Sequence, residues 1–392
     1  MNQQTVSRAR NNGTCRVLTN ARIVTSDEAF CGTVEIVGGI IRSLDHGSSR
    51  LSHAEDLEGD YLFPGFIDVH TDHLEKHAVP RAGTYWDGAI AAVSYDAVLI
   101  ASGITTVFDS VCVGAMGASG KDYRRDILPG MIAGIDTAYD RGVLRADHYL
   151  HLRADVLEPS LPETIDVLLG HPRLRFVTVL EDSPRRNLRQ YRTILRQRGY
   201  NDEAELERLI EQARTLDDGR AEHHRHWLSD KAARIGFLLG SHDDVTAEHA
   251  QQAAGLGMTI SEFPLTHEAA SAARKLDMSI VAGAPNIVRG GSHAGNAAVK
   301  DLIQSELVDI LSSDYVPASI LQAIFHGVRT GIVESLPEAV ALATHNPARI
   351  FGLDDRGRIA PDMRADLVRV SQNDANTPLV RSVWVEGRAV VK

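Results

Sequence analysis

Side chains of the types that bind metal ions recur along this chain, and each of them closes a short apolar run. They are His70, Asp72, Glu181, His242, Glu262 and Asp314. Imidazole and carboxylate groups are the ligands that divalent ions use in protein sites of mixed nitrogen and oxygen character. So many ionisable groups beside apolar segments would be costly in a purely structural role, because charged groups are expensive to bury. The set therefore indicates a site for one or two divalent ions.

The spacing of His70 and Asp72 is informative by itself. Residues i and i+2 of a strand point to the same side, so both side chains are expected to face the same interior. A core histidine beside a capping aspartate would also explain this pair alone. It does not explain Glu181, His242 and Asp314 at the ends of three other runs. The metal interpretation is therefore favoured.

The apolar runs themselves predict eight strands, which alternate with helical patterns. The runs lie at 65–70, 104–110, 148–153, 175–182, 235–243, 258–263, 279–284 and 308–314. Strands that alternate with helices form parallel βα units, and eight such units predict an α/β fold of the (β/α)8 TIM-barrel class. The C-terminal ends of barrel strands share one rim. We therefore expect the candidate ligands to converge at that rim.

Both ends of the chain have short strand patterns that differ from the middle. They predict one small β-sandwich built from residues 14–63 and 353–392, with the barrel spanning 64–352. A long, charged stretch at about 183–232 interrupts the alternation after the fourth barrel strand. We expect it to form an inserted helical subdomain or a pair of long helices.

Local signals predict individual turns and one helix in detail. Asn20-Ala21, Gly38-Gly39 and Glu386-Gly387 have the composition of tight turns between strands. Residues 201–216 predict an amphipathic helix with Asn201 as its N-cap. The apolar face of that helix would comprise Leu206, Leu209, Ile210, Ala213 and Leu216.

Composition narrows the class of protein. The chain has 392 residues, a formal net charge of −11 and 43% hydrophobic residues, which excludes a disordered protein and disfavours general nucleic-acid binding. No apolar run is long enough to span a membrane, and the polar N-terminal stretch does not resemble a signal peptide. Three widely spaced cysteines predict no disulfide framework, so a cytoplasmic location is expected. The expected partner is a small molecule, with a homo-oligomer possible.

Two weaker patterns are expected to carry no chemistry. His223, His224 and His226 lie in the charged helical stretch, where we expect them on a solvated face. Ser110 has acidic neighbours, but the sequence shows no Ser-His-Asp arrangement in the context of a nucleophile turn.

The segment Pro64–His70, followed by a second ligand, and the aspartate that ends the eighth strand resemble the amidohydrolase superfamily. The resemblance implies a metal-dependent barrel with a small sandwich built from both termini. Most of that superfamily has a second histidine where this chain has Asp72.

Longer strings resemble the family of α-D-ribose 1-methylphosphonate 5-triphosphate diphosphatases of phosphonate metabolism. They lie at 70–83, 101–111, 151–153, 241–244, 283–296 and 311–321. The resemblance implies hydrolysis of that triphosphate to the 5-phosphate and pyrophosphate. The alternatives are hydrolysis of a C–N bond in a cyclic amide or aminopurine, and a non-catalytic relative. The substrate-binding residues implied or favoured by loop position are Lys76, Arg81, His151, Arg153, Asn286, Arg289, Ser292 and His293.

The resemblance also implies roles within the metal site. Glu181 would bridge two ions, and Asp314 would accept a proton from the attacking water while also contacting a metal ion. Zinc is the first expectation, with manganese or iron as alternatives, since mixed nitrogen and oxygen ligands suit all three. The chain departs from the family pattern at 181–187, where Arg185 and Arg186 are expected to supply phosphate contacts if the substrate is the same.

Overall fold

A computed structural model describes residues 15–81, 83–114, 123–197, 199–215, 219–292, 295–372 and 377–392. The strands are β1 (Cys15–Val24), β2 (Ala29–Val37), β3 (Ile40–His46), β4 (Glu55–Asp56), β5 (Tyr61–Pro64), β6 (Phe66–Thr71), β7 (Ile104–Val113), β8 (Asp147–Asp155), β9 (Leu174–Leu180), β10 (Leu238–His242), β11 (Ile260–Glu262), β12 (Ser279–Gly283), β13 (Ile310–Ser312), β14 (Leu367–Gln372), β15 (Pro378–Val385) and β16 (Arg388–Val391).

Helices connect most of these strands. They are α1 (His73–Ala78), α2 (Gly88–Ala101), α3 (Tyr123–Asp140), α4 (Leu161–Asp166), α5 (Leu188–Gln197), α6 (Glu203–Thr215), α7 (Arg220–Ile235), α8 (Ala247–Gly255), α9 (His267–Lys275), α10 (Ala284–Arg289), α11 (Val299–Gln304), α12 (Ser319–Arg329), α13 (Leu336–Ala341) and α14 (His345–Ile350). No helix among them is long and apolar enough to cross a lipid bilayer within the described ranges.

The eight barrel strands predicted from the apolar runs are confirmed. β6 to β13 hydrogen-bond in chain order as one parallel sheet. A parallel bridge between Thr71 and Asp314 brings the first and last strands together, so the sheet is nearly closed. Residues of β6 and β7 are buried along their whole length. Burial on both faces explains why these runs are continuously apolar rather than alternating.

A second, mixed sheet joins the two ends of the chain. Its order is β16-β15-β14-β5-β1-β2-β3, with β4 paired to β1. The antiparallel pairing of β14 with β5 sets Leu367 opposite Pro64. One buried cluster then contains side chains from both ends, among them Leu18, Ile36, Leu367 and Trp384. The predicted sandwich domain built from both termini is therefore confirmed as an architecture.

Two of the three predicted turns form, and one does not. The residues at Gly38-Gly39 and Glu386-Gly387 all have positive φ, as a two-residue hairpin turn requires. Asn20-Ala21 lies instead within β1, where the pairing with β2 shifts register between Leu18 and Ala21. Asn20 adopts φ 54°, so its turn-like composition serves a β-bulge of the type in which one residue has a left-handed backbone.

The charged stretch after β9 folds into α5, α6 and α7. The helix predicted at 201–216 is present as α6, but the backbone N–H of Glu205 donates to Asp202 Oδ1 at 2.8 Å. Asp202, and not Asn201, therefore caps it. Leu206 and Ile210 are buried with side chains of α5 in a small separate core. Leu216 lies outside the described residues.

Contacts divide the chain into two compact units. The first comprises the described residues up to Ile67 together with those of 97–106 and 324–392. The second comprises those of 68–96 and 107–323 and holds the ends of the barrel strands. All candidate ligands belong to this second unit.

Candidate metal and active site

Three barrel strands bring two imidazoles and a carboxylate to one buried point. His70 lies in β6, while His242 and Glu262 end β10 and β11 and are paired in register. The potential ligand atoms of these three residues lie within 4.8 Å of one another. Parallel strands place equivalent ends at the same edge, which is why residues nearly 200 positions apart in sequence meet.

The Glu262 carboxylate joins the two histidines. His70 Nδ1 donates to Glu262 Oε1 and His242 Nδ1 donates to Glu262 Oε2, both at 2.7 Å. Burial opposes ionisation of Glu262, but the adjacent imidazoles of His70 and His151 hold its pKa well below its usual range. An ionised carboxylate only accepts, so each Nδ1 carries a proton and each Nε2 is left as an electron-pair donor. This tautomer fits ligation of a divalent ion.

Asp72 and Asp314 lie beside these histidines. Asp314 N–H donates to His70 O at 3.0 Å, and Asp72 N–H donates to Asp314 O at 3.3 Å. Asp314 adopts φ 54°, a left-handed conformation that is strained for a residue with a β-carbon. Burial raises the pKa of its carboxyl group, as does the charge of Asp72, while the His70 imidazole opposes the shift. The structure thus brings together five of the six predicted ligands.

Glu181 is the predicted ligand that the structure does not bring to this group. Its carboxylate forms an ion pair with Arg225 and accepts a hydrogen bond from Ser183 Oγ. Burial opposes ionisation, but the charge of Arg225 lowers its pKa overall. Glu181 and Arg225 line a small pocket of their own. A guanidinium group that satisfies a carboxylate in this way competes directly with a metal ion for it.

A cavity of about 390 Å³ opens next to His70, Asp72, His242 and Asp314. Of the predicted substrate-binding residues, its walls contain Arg153, Asn286, Arg289 and Ser292. The size is sufficient for a small-molecule substrate.

Arg153 is the cation nearest to the histidines. Its Nη2 lies 3.4 Å from His242 Nε2, and its side chain is almost fully buried, at 8% exposure. Arg153 Nε has no hydrogen-bond partner within the described ranges. Asn286 has a different function in the wall: its Oδ1 accepts from Val299 N–H at 3.0 Å and so fixes the following loop.

The remaining predicted substrate-binding residues lie at the edge of the cavity or away from it. Lys76 Nζ donates to the backbone oxygen of Tyr315 at 3.0 Å, and Tyr315 is a wall residue. Arg81 is exposed and forms an isolated bridge with Thr84, without reaching the wall. His293 lies outside the described residues.

His151 is buried behind His70 rather than facing the cavity. Its Nδ1 is 2.8 Å from Ser110 Oγ, and its Nε2 is 2.8 Å from Thr178 Oγ1 and 3.9 Å from a Glu262 oxygen. A serine–histidine contact therefore exists, which the sequence could not show because its members lie on different strands. Burial lowers the pKa of His151 to about 3. Since Ser110 and His151 are both buried, the pair supports the site without offering a nucleophile.

His148 is also buried, but it lies between two carboxylates. His148 Nδ1 is 3.0 Å from Asp109 Oδ2, and its Nε2 is 3.4 Å from Asp96 Oδ1. Burial opposes protonation, but the two carboxylates raise the pKa of His148 to about 10. Asp96 also accepts from the backbone N–H groups of Arg145 and Ala146. This group is an ion-pair network inside the barrel unit.

The structure changes the interpretation of two arginines and one histidine after β9. Arg186 pairs with Asp244, and Arg185 donates to the backbone oxygen of Arg214, so neither lines the cavity. His224 was expected on a solvated face but is buried, with Nδ1 3.0 Å from Val156 O. A helix that packs on the barrel has one buried face, and His224 falls on it.

Sequence reasoning missed several wall residues. Phe263, which follows Glu262 with φ 55°, places its ring 4.8 Å from the His70 ring centroid. Arg189, Gln190, Thr193 and Ile194 reach the cavity from α5. Their spacing in the sequence indicates that they share one face of a helix. Nothing in the local sequence, however, indicates that this face meets the barrel rim.

Comparison with known sequences places this geometry in context. A model of the amidohydrolase family matches residues 188–391. The chain is 38% identical over 382 residues to the α-D-ribose 1-methylphosphonate 5-triphosphate diphosphatase of Escherichia coli (strain K12), a match that covers 95% of this chain and 100% of that protein. It is 26% identical over 392 residues to the adenine deaminase of Desulfatibacillum aliphaticivorans, covering 94% of this chain but 58% of the deaminase.

Solved structures share the fold. The N-acetyl-D-glucosamine-6-phosphate deacetylase of Mycobacterium smegmatis superposes with a TM-score of 0.64 at 18% identity, covering 96% of this chain and 100% of that one. A 5-methylcytosine deaminase from Klebsiella pneumoniae superposes with a TM-score of 0.63 at 15% identity, covering 96% and 98% of the two chains. At such identities these likenesses concern the fold alone.

Proposed function

This chain belongs to the amidohydrolase family, and from that premise we propose that it is a metal-dependent diphosphatase. It would convert α-D-ribose 1-methylphosphonate 5-triphosphate to the 5-phosphate and pyrophosphate. The observation that carries the proposal is the full-length similarity to the Escherichia coli diphosphatase. Arginines in the cavity wall beside a set of metal-type ligands support it, because a triphosphate needs cations that a neutral ring would not.

The proposed ligands are His70, His242, Asp72 and Asp314. Their donor chemistry, imidazole nitrogen with carboxylate oxygen, fits zinc first and also manganese or iron. When bound, a divalent ion supplies Lewis acidity and neutralises charge on the transferring phosphoryl group. Glu262, which the sequence analysis listed as a further ligand, is instead proposed to orient both histidines, because its two oxygens accept from their Nδ1 atoms and each Nε2 is left for the ion.

Asp314 is proposed to accept the proton of the attacking water. Its carboxyl group lines the cavity directly beside His70, and its backbone is held by the hydrogen bond to His70 O. A carboxylate fixed next to the reacting atoms acts as a general base without a costly rearrangement.

Arg153 is proposed to stabilise charge on the phosphoryl group under attack. It is the wall cation closest to His242, and its buried position strengthens electrostatic interactions because little water screens them. Arg289 would hold phosphate oxygens farther along the cavity. The phosphate under attack would therefore lie beside the histidines, with the outer phosphates toward Arg289.

The proposed compartment is a reducing cytoplasm. Cys15, Cys31 and Cys112 are all free thiols, which supports that proposal.

In the decisive experiment, the purified protein is loaded with zinc, manganese or iron in turn. Each preparation is then assayed with three classes of substrate. They are ribosyl phosphonates and other triphosphates, cyclic amides, and adenine. Pyrophosphate, orthophosphate and ammonia are measured separately, and His70→Ala serves as the inactive control. We expect pyrophosphate from the ribosyl phosphonate triphosphate. Ammonia from adenine without pyrophosphate release would overturn the proposal in favour of C–N bond hydrolysis.

A further inference from the structure

The helix α5 forms part of the cavity wall, although it belongs to the stretch inserted after β9. Arg189, Gln190, Thr193 and Ile194 of this helix all line the cavity. Arg189 and Thr193 are four residues apart, as are Gln190 and Ile194, so all four side chains lie on one side of the helix. The opposite side carries Tyr191 and Leu195, which pack against Leu206 and Ile210 of α6. One side of the helix thus packs in its own core and another faces the cavity, with Ile194 contacting both.

Hydrogen bonds hold the first turn of α5 against the rim of the barrel. Gln190 Nε2 donates to Asp243 Oδ2 at 3.1 Å, directly after the ligand His242. Arg186, just before α5, pairs with Asp244 at 2.6 Å. These contacts fix the position of the helix relative to the metal ligands. Arg189 therefore occupies a defined place on the wall.

The charges of the cavity wall are distributed unevenly. Asp72, Asp243 and Asp314 lie with the metal-type histidines, and Arg153 is beside His242. The two other arginines of the wall, Arg189 and Arg289, come from α5 and α10 and are exposed. Arg289 Nη1 donates to Tyr315 Oη at 3.4 Å. Two guanidinium groups on elements that carry no metal-type ligand suit an anionic part of the substrate that the ligand cluster does not hold.

We propose that Arg189 binds the terminal phosphate of the polyphosphate chain, together with Arg289, and so favours triphosphates over shorter substrates. The inference rests on the proposed diphosphatase function for its substrate class. It assigns a binding residue in the inserted helices, outside the motifs on which the resemblance depends.

The contacts of Arg189 are compatible with this role. Its guanidinium group donates to the backbone oxygen of Gly295 at 3.3 Å and to Asn296 Oδ1. Both acceptors are neutral, whereas hydrogen bonds to a charged phosphate are about twice as strong. Guanidinium has five N–H donors, so it can keep one of these contacts while it binds two phosphate oxygens.

The test compares Arg189→Ala and Arg189→Lys with Arg196→Ala in the metal-loaded enzyme. Arg196 is the matched control, since it lies on the same helix but pairs with Glu203. We expect Arg189→Ala to raise KM for the 5-triphosphate by about 10-fold with kcat little changed. The reason is that the lost charge-assisted hydrogen bond is made equally in the bound substrate and in the transition state. In Arg189→Lys, KM should rise less than in Arg189→Ala, because lysine keeps the positive charge but lacks the planar guanidinium group that binds two oxygens at once. Arg196→Ala should match the unmodified enzyme.

Chain length provides the specific readout. For the corresponding 5-diphosphate, Arg189→Ala should have almost no effect on KM, because the terminal phosphate is absent. An equal rise in KM for both substrates, or no rise for either, would overturn the assignment of Arg189.

A binding measurement separates this inference from the proposed function. The affinity for inorganic tripolyphosphate, measured by calorimetry, should fall about 10-fold in Arg189→Ala and remain unchanged in Arg196→Ala. If the unmodified protein fails to release pyrophosphate but shows this difference, the diphosphatase proposal fails and the Arg189 site stands. If it releases pyrophosphate and the difference is absent, only the Arg189 site fails.

Discussion

Glu262 accepts hydrogen bonds from two imidazoles at once, and exchanging its carboxylate for an amide tests whether that arrangement prepares the metal site. Glu262→Gln keeps the size and shape of the side chain but offers one acceptor oxygen and one donor NH2 group. One of the two Nδ1 atoms, of His70 or of His242, then faces a donor and must accept. That imidazole carries its proton on Nε2, and a protonated Nε2 cannot ligate a metal ion.

The size of the effect follows from the contacts. Both hydrogen bonds are 2.7 Å long and buried. A hydrogen bond to a charged group contributes about 1.5–3 kcal/mol. Loss of the group that orients one ligating histidine lowers metal affinity about 10- to 100-fold. Because one carboxylate here orients two histidines, we expect a loss of about 100-fold or more.

The assay is metal content after dialysis against a metal buffer, followed by competition with a chelator to obtain Kd. Circular dichroism checks that the barrel remains folded. Glu181→Gln is the matched control, since Glu181 is held by Arg225 and should leave the affinity for the ion unchanged. Unchanged metal affinity in Glu262→Gln would refute the reasoning about the tautomers. Loss of the ion in Glu181→Gln would restore Glu181 as the bridging ligand.

Four further outcomes are expected. Asp314→Asn should lower kcat about 100-fold or more with little change in KM, since only the proton acceptor is lost, and steady-state kinetics measures this. Arg289→Ala should lower kcat/KM about 10- to 150-fold for a triphosphate, and much less for a neutral cyclic amide assayed in parallel. Chelation should abolish turnover, and full activity in a metal-free sample would contradict the metal-dependent mechanism; His70→Ala should lower metal content, and an unchanged content would contradict its assignment as a ligand. The pKa of His148 is raised from 6.5 to about 10, so its stabilising effect is complete below pH 6.5 and is lost as pH rises toward 10. Urea unfolding of the unmodified protein and His148→Gln should therefore show a stability difference that shrinks between these pH values, and a difference that grows would contradict the network.

Much of the fold could be predicted from the sequence because it depends on local patterns. Continuous apolar runs of strand length, separated by helical patterns, define eight parallel strands whatever lies elsewhere in the chain. Residues at the ends of such strands must meet at one rim. That rule is sufficient to bring His70, His242, Glu262 and Asp314 together.

Local patterns are ambiguous where one composition serves two structures. Asn20 tolerates a left-handed backbone, which suits both a turn and a β-bulge. Asp202 and Asn201 are both good N-cap residues, and only the observed hydrogen bond to Glu205 distinguishes them. Pairing with a neighbouring strand, or the exact start of a helix, selects between such alternatives.

The partners of the charged side chains were decided by the tertiary structure alone. Glu181 ends its strand as a ligand would, yet Arg225, 44 residues farther along the chain, takes its carboxylate. Arg189 lies in a charged helical stretch with no motif, yet packing of α5 on the rim places it in the cavity wall. The physical reason is the same in both cases. An ionic contact depends on the distance between two atoms after folding, and that distance is set by how whole elements pack, which no local pattern of residues specifies.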